Sequence, residues 1–97
     1  MNDLEKLRKA IDDIDHEMVR LFEARMRAVS EVANYKAKNG IALYDPQREA
    51  DIIERNTSFL QDESLCPHYV LFQKSLMKIS RNYQCELMRN INLNQEV

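Results

Sequence analysis

An arginine stands where the spacing of this chain asks for an apolar residue. Leu4, Leu7, Ile11, Ile14, Met18 and Leu21 recur at the steps of a helical stripe, and the next place in that count is Arg25. Taken alone, Arg25 is read as a stem packed along the stripe with its head at the edge. Lys36 changes that reading. It follows Arg25 by 11 residues, three helical turns on, within about 20° in azimuth and about 16 Å along the axis. Two long cationic side chains then project from nearly one face, and by leaning together they can grip a small dianion. Arg8 is a third candidate beside the stripe. It precedes Arg25 by 17 residues, about 25 Å of helix, so within one chain both cannot touch one small molecule. An antiparallel partner helix would return Arg8 to the site.

Other candidates are acidic or neutral. The stretch LYDPQRE gathers Asp45, Arg48 and Glu49 just after the only glycine, Gly40. Asp45 can cap a helix that Pro46 opens, because a proline in the first turn loses no hydrogen bond, and Glu49 suits the positive end of the helix dipole. Ser80 and Gln84, spaced i, i+4 beside an apolar stripe, offer uncharged hydrogen bonds; the plainer reading is a pair of solvated polar residues. His16 and His68 have no ligand-spaced partner, Cys66 and Cys85 form no CxxC pair, and no nucleophile lies beside a base. We expect neither a metal nor a cofactor, and free thiols in a reducing compartment.

The elements that must position these residues are all helical. Residues 1–39 hold no Gly and no Pro, and the stripe continues through Ala28, Val32 and Tyr35, so one helix is expected from about Asp3 to Lys38, ended by Asn39-Gly40. A second is expected over about 46–60, then a polar loop from Gln61 to Cys66 with Ser64 as a cap. A third is expected over about 67–88 on the seam Tyr69, Phe72, Leu76, Ile79 and Tyr83, with 89–97 as a frayed tail. The fold class is therefore all-α, with one long, one short and one medium helix in a single domain of 97 residues. A first helix of about 54 Å is longer than a compact domain of this size is wide, about 26 Å, so it needs cover from beyond its own chain. The net charge of -2, from 14 basic and 16 acidic residues, gives no basic field for nucleic acid. No apolar run is long enough for a membrane span and the charged start is no signal peptide, so a cytoplasmic location is expected.

Together, Arg8, Arg25, Lys36, Asp45, Arg48, Glu49, Ser80 and Gln84 resemble the site of the all-helical chorismate mutases, the AroQ class. The resemblance is carried by LRKAIDDID, LFEARMRAVSEVANYK, YDPQRE and ISRNYQ and covers about residues 4–84. It implies an intertwined homodimer with two active sites, each completed by Arg8 of the partner subunit. It also implies the Claisen rearrangement of chorismate to prephenate, in phenylalanine and tyrosine biosynthesis. In that pattern Lys36 and Gln84 donate to the ether oxygen, Arg25 and Arg8 of the partner subunit bind the two carboxylates, and Ser80 assists at the ring carboxylate. Glu49 accepts the ring hydroxyl, Asp45 supports that end through its backbone, and Arg48 orders these groups or reaches the substrate. Gln84 donates at any ordinary pH, so activity is expected to be nearly flat from about pH 6 to 8. The same fold serves isochorismate-pyruvate lyases, and a non-catalytic helical dimerisation module is a third reading. Many such domains are fused to a dehydratase, dehydrogenase or synthase; this chain has room for none and is read as free-standing or a fragment, able to associate with another aromatic-pathway enzyme. No effector domain is visible, so feedback by phenylalanine or tyrosine is not expected.

Overall fold

The computed structural model describes residues 1–95, with side-chain surroundings through Asn90. It consists of α1 (Asp3–Lys38), α2 (Pro46–Thr57), a 3-10 turn at Glu63–Leu65 and α3 (Cys66–Gln95). No strand occurs among the described residues.

Each helix has local reasons to start and stop where it does. Asn2 Oδ1 accepts the Glu5 amide at 2.8 Å and opens α1, whose first turn holds Asp3 and Glu5 and whose last holds Lys36 and Lys38, both favourable to the helix dipole. At its other end Gly40 takes φ 64°, and the Ile41 amide reaches back to the Lys36 carbonyl at 2.8 Å. That is the glycine-dependent Schellman closure, and the turn it makes aims the chain toward α2. Asp45 Oδ1 accepts the Arg48 amide at 3.0 Å and Pro46 occupies the first turn of α2, as expected.

Three boundaries differ from the expected ones. The second helix ends at Thr57 rather than 60, because the amides of Phe59 and Leu60 bond three residues back, to Asn56 and Thr57, and tighten the chain out of the α-helix. Asp62, not Ser64, caps the turn before α3: its Oδ1 accepts both the amide of Ser64 at 3.1 Å and its hydroxyl at 2.6 Å. The third helix continues to Gln95, where a tail was expected from 89. Between His68 and Gln95 there is neither Gly nor Pro, and each added residue contributes a further backbone bond, so weak formers such as Asn90 do not stop it. Of that tail, Glu96 and Val97 lie outside the described residues.

The third helix is the hub, packing on α1 and on α2. The molecule is long and thin, 59 × 29 × 15 Å, with a radius of gyration of 17.5 Å, against about 12.5 Å for a compact chain of this length. Its buried interior is small and mixed. Among the described residues the buried apolar side chains are Ala33 and Met77, and they are accompanied by three polar ones, Gln73, Ser80 and Gln84. This revises the expected seams. On α3 the line that packs within the chain is Gln73, Met77, Ser80 and Gln84, whereas Phe72 and Ile79 of the anticipated seam are nearly half exposed. On α1, Val32 and Tyr35 are exposed; Ala33 is buried, with Arg25, Val29 and Lys36 half-buried. Apolar periodicity finds faces that need cover without saying which chain covers them. The stripe from Leu4 to Leu21 is open along its length. No described helix is long and apolar enough to cross a membrane.

Candidate active site

Where α1 meets α3, the polar side chains are tied to one another. Arg25 Nη1 donates to Ser80 Oγ at 2.5 Å, and Ser80 sends its own proton to the Leu76 carbonyl at 2.8 Å. The hydroxyl is thereby oriented with its lone pairs toward the guanidinium. One turn beyond Arg25, the Val29 carbonyl accepts from Gln84 Nε2 at 3.3 Å, leaving the other amide proton and the amide oxygen uncommitted. At the end of α1, Lys36 Nζ donates to the Leu43 carbonyl at 3.2 Å. That single bond uses one of its three protons and holds the connection to α2 against the helix.

These two cations are half-buried and meet only neutral acceptors. The ion pairs among the described residues join Lys9 to Asp13, Arg20 to Glu17 and Arg81 to Glu49; neither Arg25 nor Lys36 has a carboxylate. Burial lowers the Arg25 pKa from its ordinary value by desolvation, and the margin of arginine above neutral keeps it charged. A cation withdrawn from water without a counter-charge is costly unless something anionic visits it. Beside it, Arg25 also lines an apolar groove of about 590 Å³ between α1 and α3, with Met18, Phe22, Phe72, Leu76 and Ile79 among its walls. The arginine marks the boundary between that groove and the polar cluster.

The corner ahead of α2 contributes the acidic part. Glu49, one of the more enclosed residues of α2, accepts a hydrogen bond at Oε1 from Arg81 Nη1 of α3. The Arg81 guanidinium lies 4.9 Å from the centre of the Tyr44 ring, a cation–π distance, and its hydrogen bond to Glu49 raises its pKa. Asp45 spends its carboxylate on the cap of α2 while its carbonyl accepts the Glu49 amide at 3.1 Å.

The chain thus brings Arg25 to Ser80, Gln84 to the same α1 face, and Lys36 to the start of the α2 corner. Arg48 is exposed, and Arg8, exposed on the open part of α1, stands apart from the cluster. Sequence reasoning missed two features. One is Arg81, which lies between Ser80 and Gln84 in ISRNYQ, and its opposite charge to Glu49 is the signal the sequence carries for it. The other is the Asn56–Gln73 bond of 3.2 Å, which ties α2 to α3 and belongs to the buried polar line that apolar periodicity cannot register.

An all-helical chain with unneutralised cations set beside neutral donors is a scaffold suited to a small anion. Residues 7–85 match the model of the family described as chorismate mutase type II, and the chain belongs to that family. It is 38% identical over 52 residues to a chorismate mutase of Methanocaldococcus jannaschii, an alignment covering 54% of this chain and 52% of that one. It is 37% identical over 54 residues to the T-protein of Haemophilus influenzae, covering 56% of this chain and 14% of that one. With a bifunctional chorismate mutase/prephenate dehydratase of Aquifex aeolicus it shares 36% identity over 55 residues, 57% of this chain and 15% of the relative. The chain thus spans about half or less of the length of these relatives.

Proposed function

We propose that the protein is a chorismate mutase that acts as a homodimer with shared active sites. The observation that carries the reading is the pair of half-buried cations, Arg25 and Lys36, without carboxylate partners among the described residues and beside the neutral donors Ser80 and Gln84. Chorismate carries two carboxylates and an ether oxygen. Its rearrangement breaks the C–O bond while a C–C bond forms, in one cyclic movement of electrons, with no proton lost and no nucleophile added. Catalysis of such a step rests on holding the flexible dianion in its reactive chair and on opposing the negative charge that grows on the ether oxygen.

Each residue then has a task. Lys36 and Gln84 donate to the ether oxygen, using protons beyond those bonded to the Leu43 and Val29 carbonyls. Arg25 binds one carboxylate, and Ser80 rotates its one proton from the Leu76 carbonyl to donate to the ring carboxylate. Glu49 accepts the ring hydroxyl, Asp45 holds that end of α2, and Arg48 reaches the substrate from the same turn. Arg8 of the partner subunit supplies the cation for the second carboxylate. The open stripe from Leu4 to Leu21 supports pairing, since exposed apolar side chains at this density on one helix are the pattern of a face that another helix covers. Two relatives are named for both chorismate mutase and prephenate dehydratase; on that likeness the prephenate passes to a consuming enzyme of aromatic amino-acid synthesis, with which the chain associates.

The test is to mix purified protein with chorismate and follow its disappearance and the appearance of prephenate, with Lys36→Ala as control. Turnover lost in that variant supports the reading. Unchanged chorismate, or salicylate and pyruvate formed from isochorismate instead, overturns it.

A further inference from the structure

On the mutase reading Glu49 stands in the wall of a pocket for a dianion, and a carboxylate there needs an explanation. Unneutralised, Glu49 would repel the ligand; too loosely held, it would make a poor acceptor. Both difficulties are met by one side chain from the neighbouring helix. Arg81 bonds to one oxygen of Glu49, and both side chains are only partly exposed, 34% for Arg81 and 19% for Glu49. The guanidinium is in turn held over Tyr44, which belongs to the connection leading into α2. Arg81 also follows Ser80 directly, so the α3 turn that orients Arg25 is the one that orients Glu49.

We propose that Arg81 is a positioning residue for recognition of the substrate's ring hydroxyl. It neutralises Glu49 and fixes its carboxylate by Oε1, leaving Oε2 as the acceptor for that hydroxyl, while the Tyr44 ring fixes the plane of the guanidinium. This deepens the mutase reading and rests on it. A plain staple between α2 and α3 would stabilise the site equally for any ligand. A positioning role instead makes the effect depend on the hydroxyl itself.

The experiment compares kcat/KM for chorismate and for an analogue lacking the ring hydroxyl, in wild type, Arg81→Met and Arg81→Lys. The preference for chorismate should fall by about tenfold in Arg81→Met, the scale of one hydrogen bond to a charged group. Most of the loss should lie in KM, and Arg81→Lys should recover part of it. In a Glu49→Gln background, Arg81→Met should lower the preference no further. Should Arg81→Met fail to fold, Arg81→Lys and Tyr44→Leu carry the same comparison. An unchanged preference in folded variants, even with lower overall activity, overturns the proposal and leaves the mutase reading intact; a wild type inert toward chorismate overturns both.

Discussion

Replacing Arg25 with leucine separates binding from stability, because the residue stands on the border between an apolar groove and a polar cluster. In the folded chain its guanidinium is half-buried, bonds to Ser80 and has no carboxylate partner among the described residues. Arg25→Leu removes that bond, a loss of about 1.5 to 3 kcal/mol for a donor that is charged. The same change ends the desolvation of an unpaired cation and adds an aliphatic side chain to a groove walled by Met18, Phe22 and Leu76, a gain of about 1.5 to 3 kcal/mol on full burial. The Ser80 hydroxyl keeps its bond to the Leu76 carbonyl. These contributions nearly cancel, so the urea midpoint should move little at fixed protein concentration. Turnover is another matter. A bidentate grip on a carboxylate comprises two charge-assisted bonds, together about 3 to 6 kcal/mol, so kcat/KM should fall by roughly 10² to 10⁴. The assays are urea unfolding followed by circular dichroism and the decay of chorismate absorbance. The reasoning is refuted by turnover within threefold of wild type, which makes Arg25 a mere edge residue. A stability loss of several kcal/mol that accounts for lost activity refutes it equally.

Further outcomes follow from the same geometry. Lys36→Ala should lower kcat by roughly 10² to 10³, the scale of one preorganised donor, with the melting temperature lower by several degrees because the bond to the Leu43 carbonyl is also lost. Gln84→Glu should give an enzyme whose rate rises as the pH falls: the introduced carboxyl donates only when protonated, from an ordinary pKa of about 4.3, whereas wild type should be nearly flat from about pH 6 to 8. Arg8→Ala should be inactive alone, yet mixing it with Lys36→Ala under conditions of subunit exchange should restore about a quarter of the wild-type sites, since each mixed dimer assembles one intact site of two. No recovery on exchange would show that Arg8 is not shared between subunits.

Much of this architecture is legible in the residues. The start of α2 follows from Asp45-Pro46, the end of α1 from Asn39-Gly40, and the long helix from 39 residues with no breaker. Arg25 and Lys36 declared themselves as charge out of place. What escaped is the direction of burial. Phe72 and Ile79 look like a core stripe, but within the chain the enclosed positions on α3 are Gln73, Met77, Ser80 and Gln84. Polar residues become interior only when tertiary neighbours satisfy them, as Asn56 does for Gln73 and Val29 for Gln84, and such partners lie 17 and 55 residues away. Arg81 escaped for the same reason: its meaning comes from Glu49, 32 residues earlier, and no local pattern marks it. The end of α3 escaped because asparagine disfavours a helix without forbidding it.

The unbroken run of α1 from Asp3 to Lys38 also sets how the chain can change length over generations. One residue inserted between Arg8 and Arg25 would swing one relative to the other by about 100° and push them about 1.5 Å further apart, with no break in the helix to absorb the error. The stretch from Ser58 to Asp62 has no such constraint, being short irregular chain between two capped elements. Insertions and deletions among descendants should therefore collect there, and α1 should behave as a gauge of fixed length.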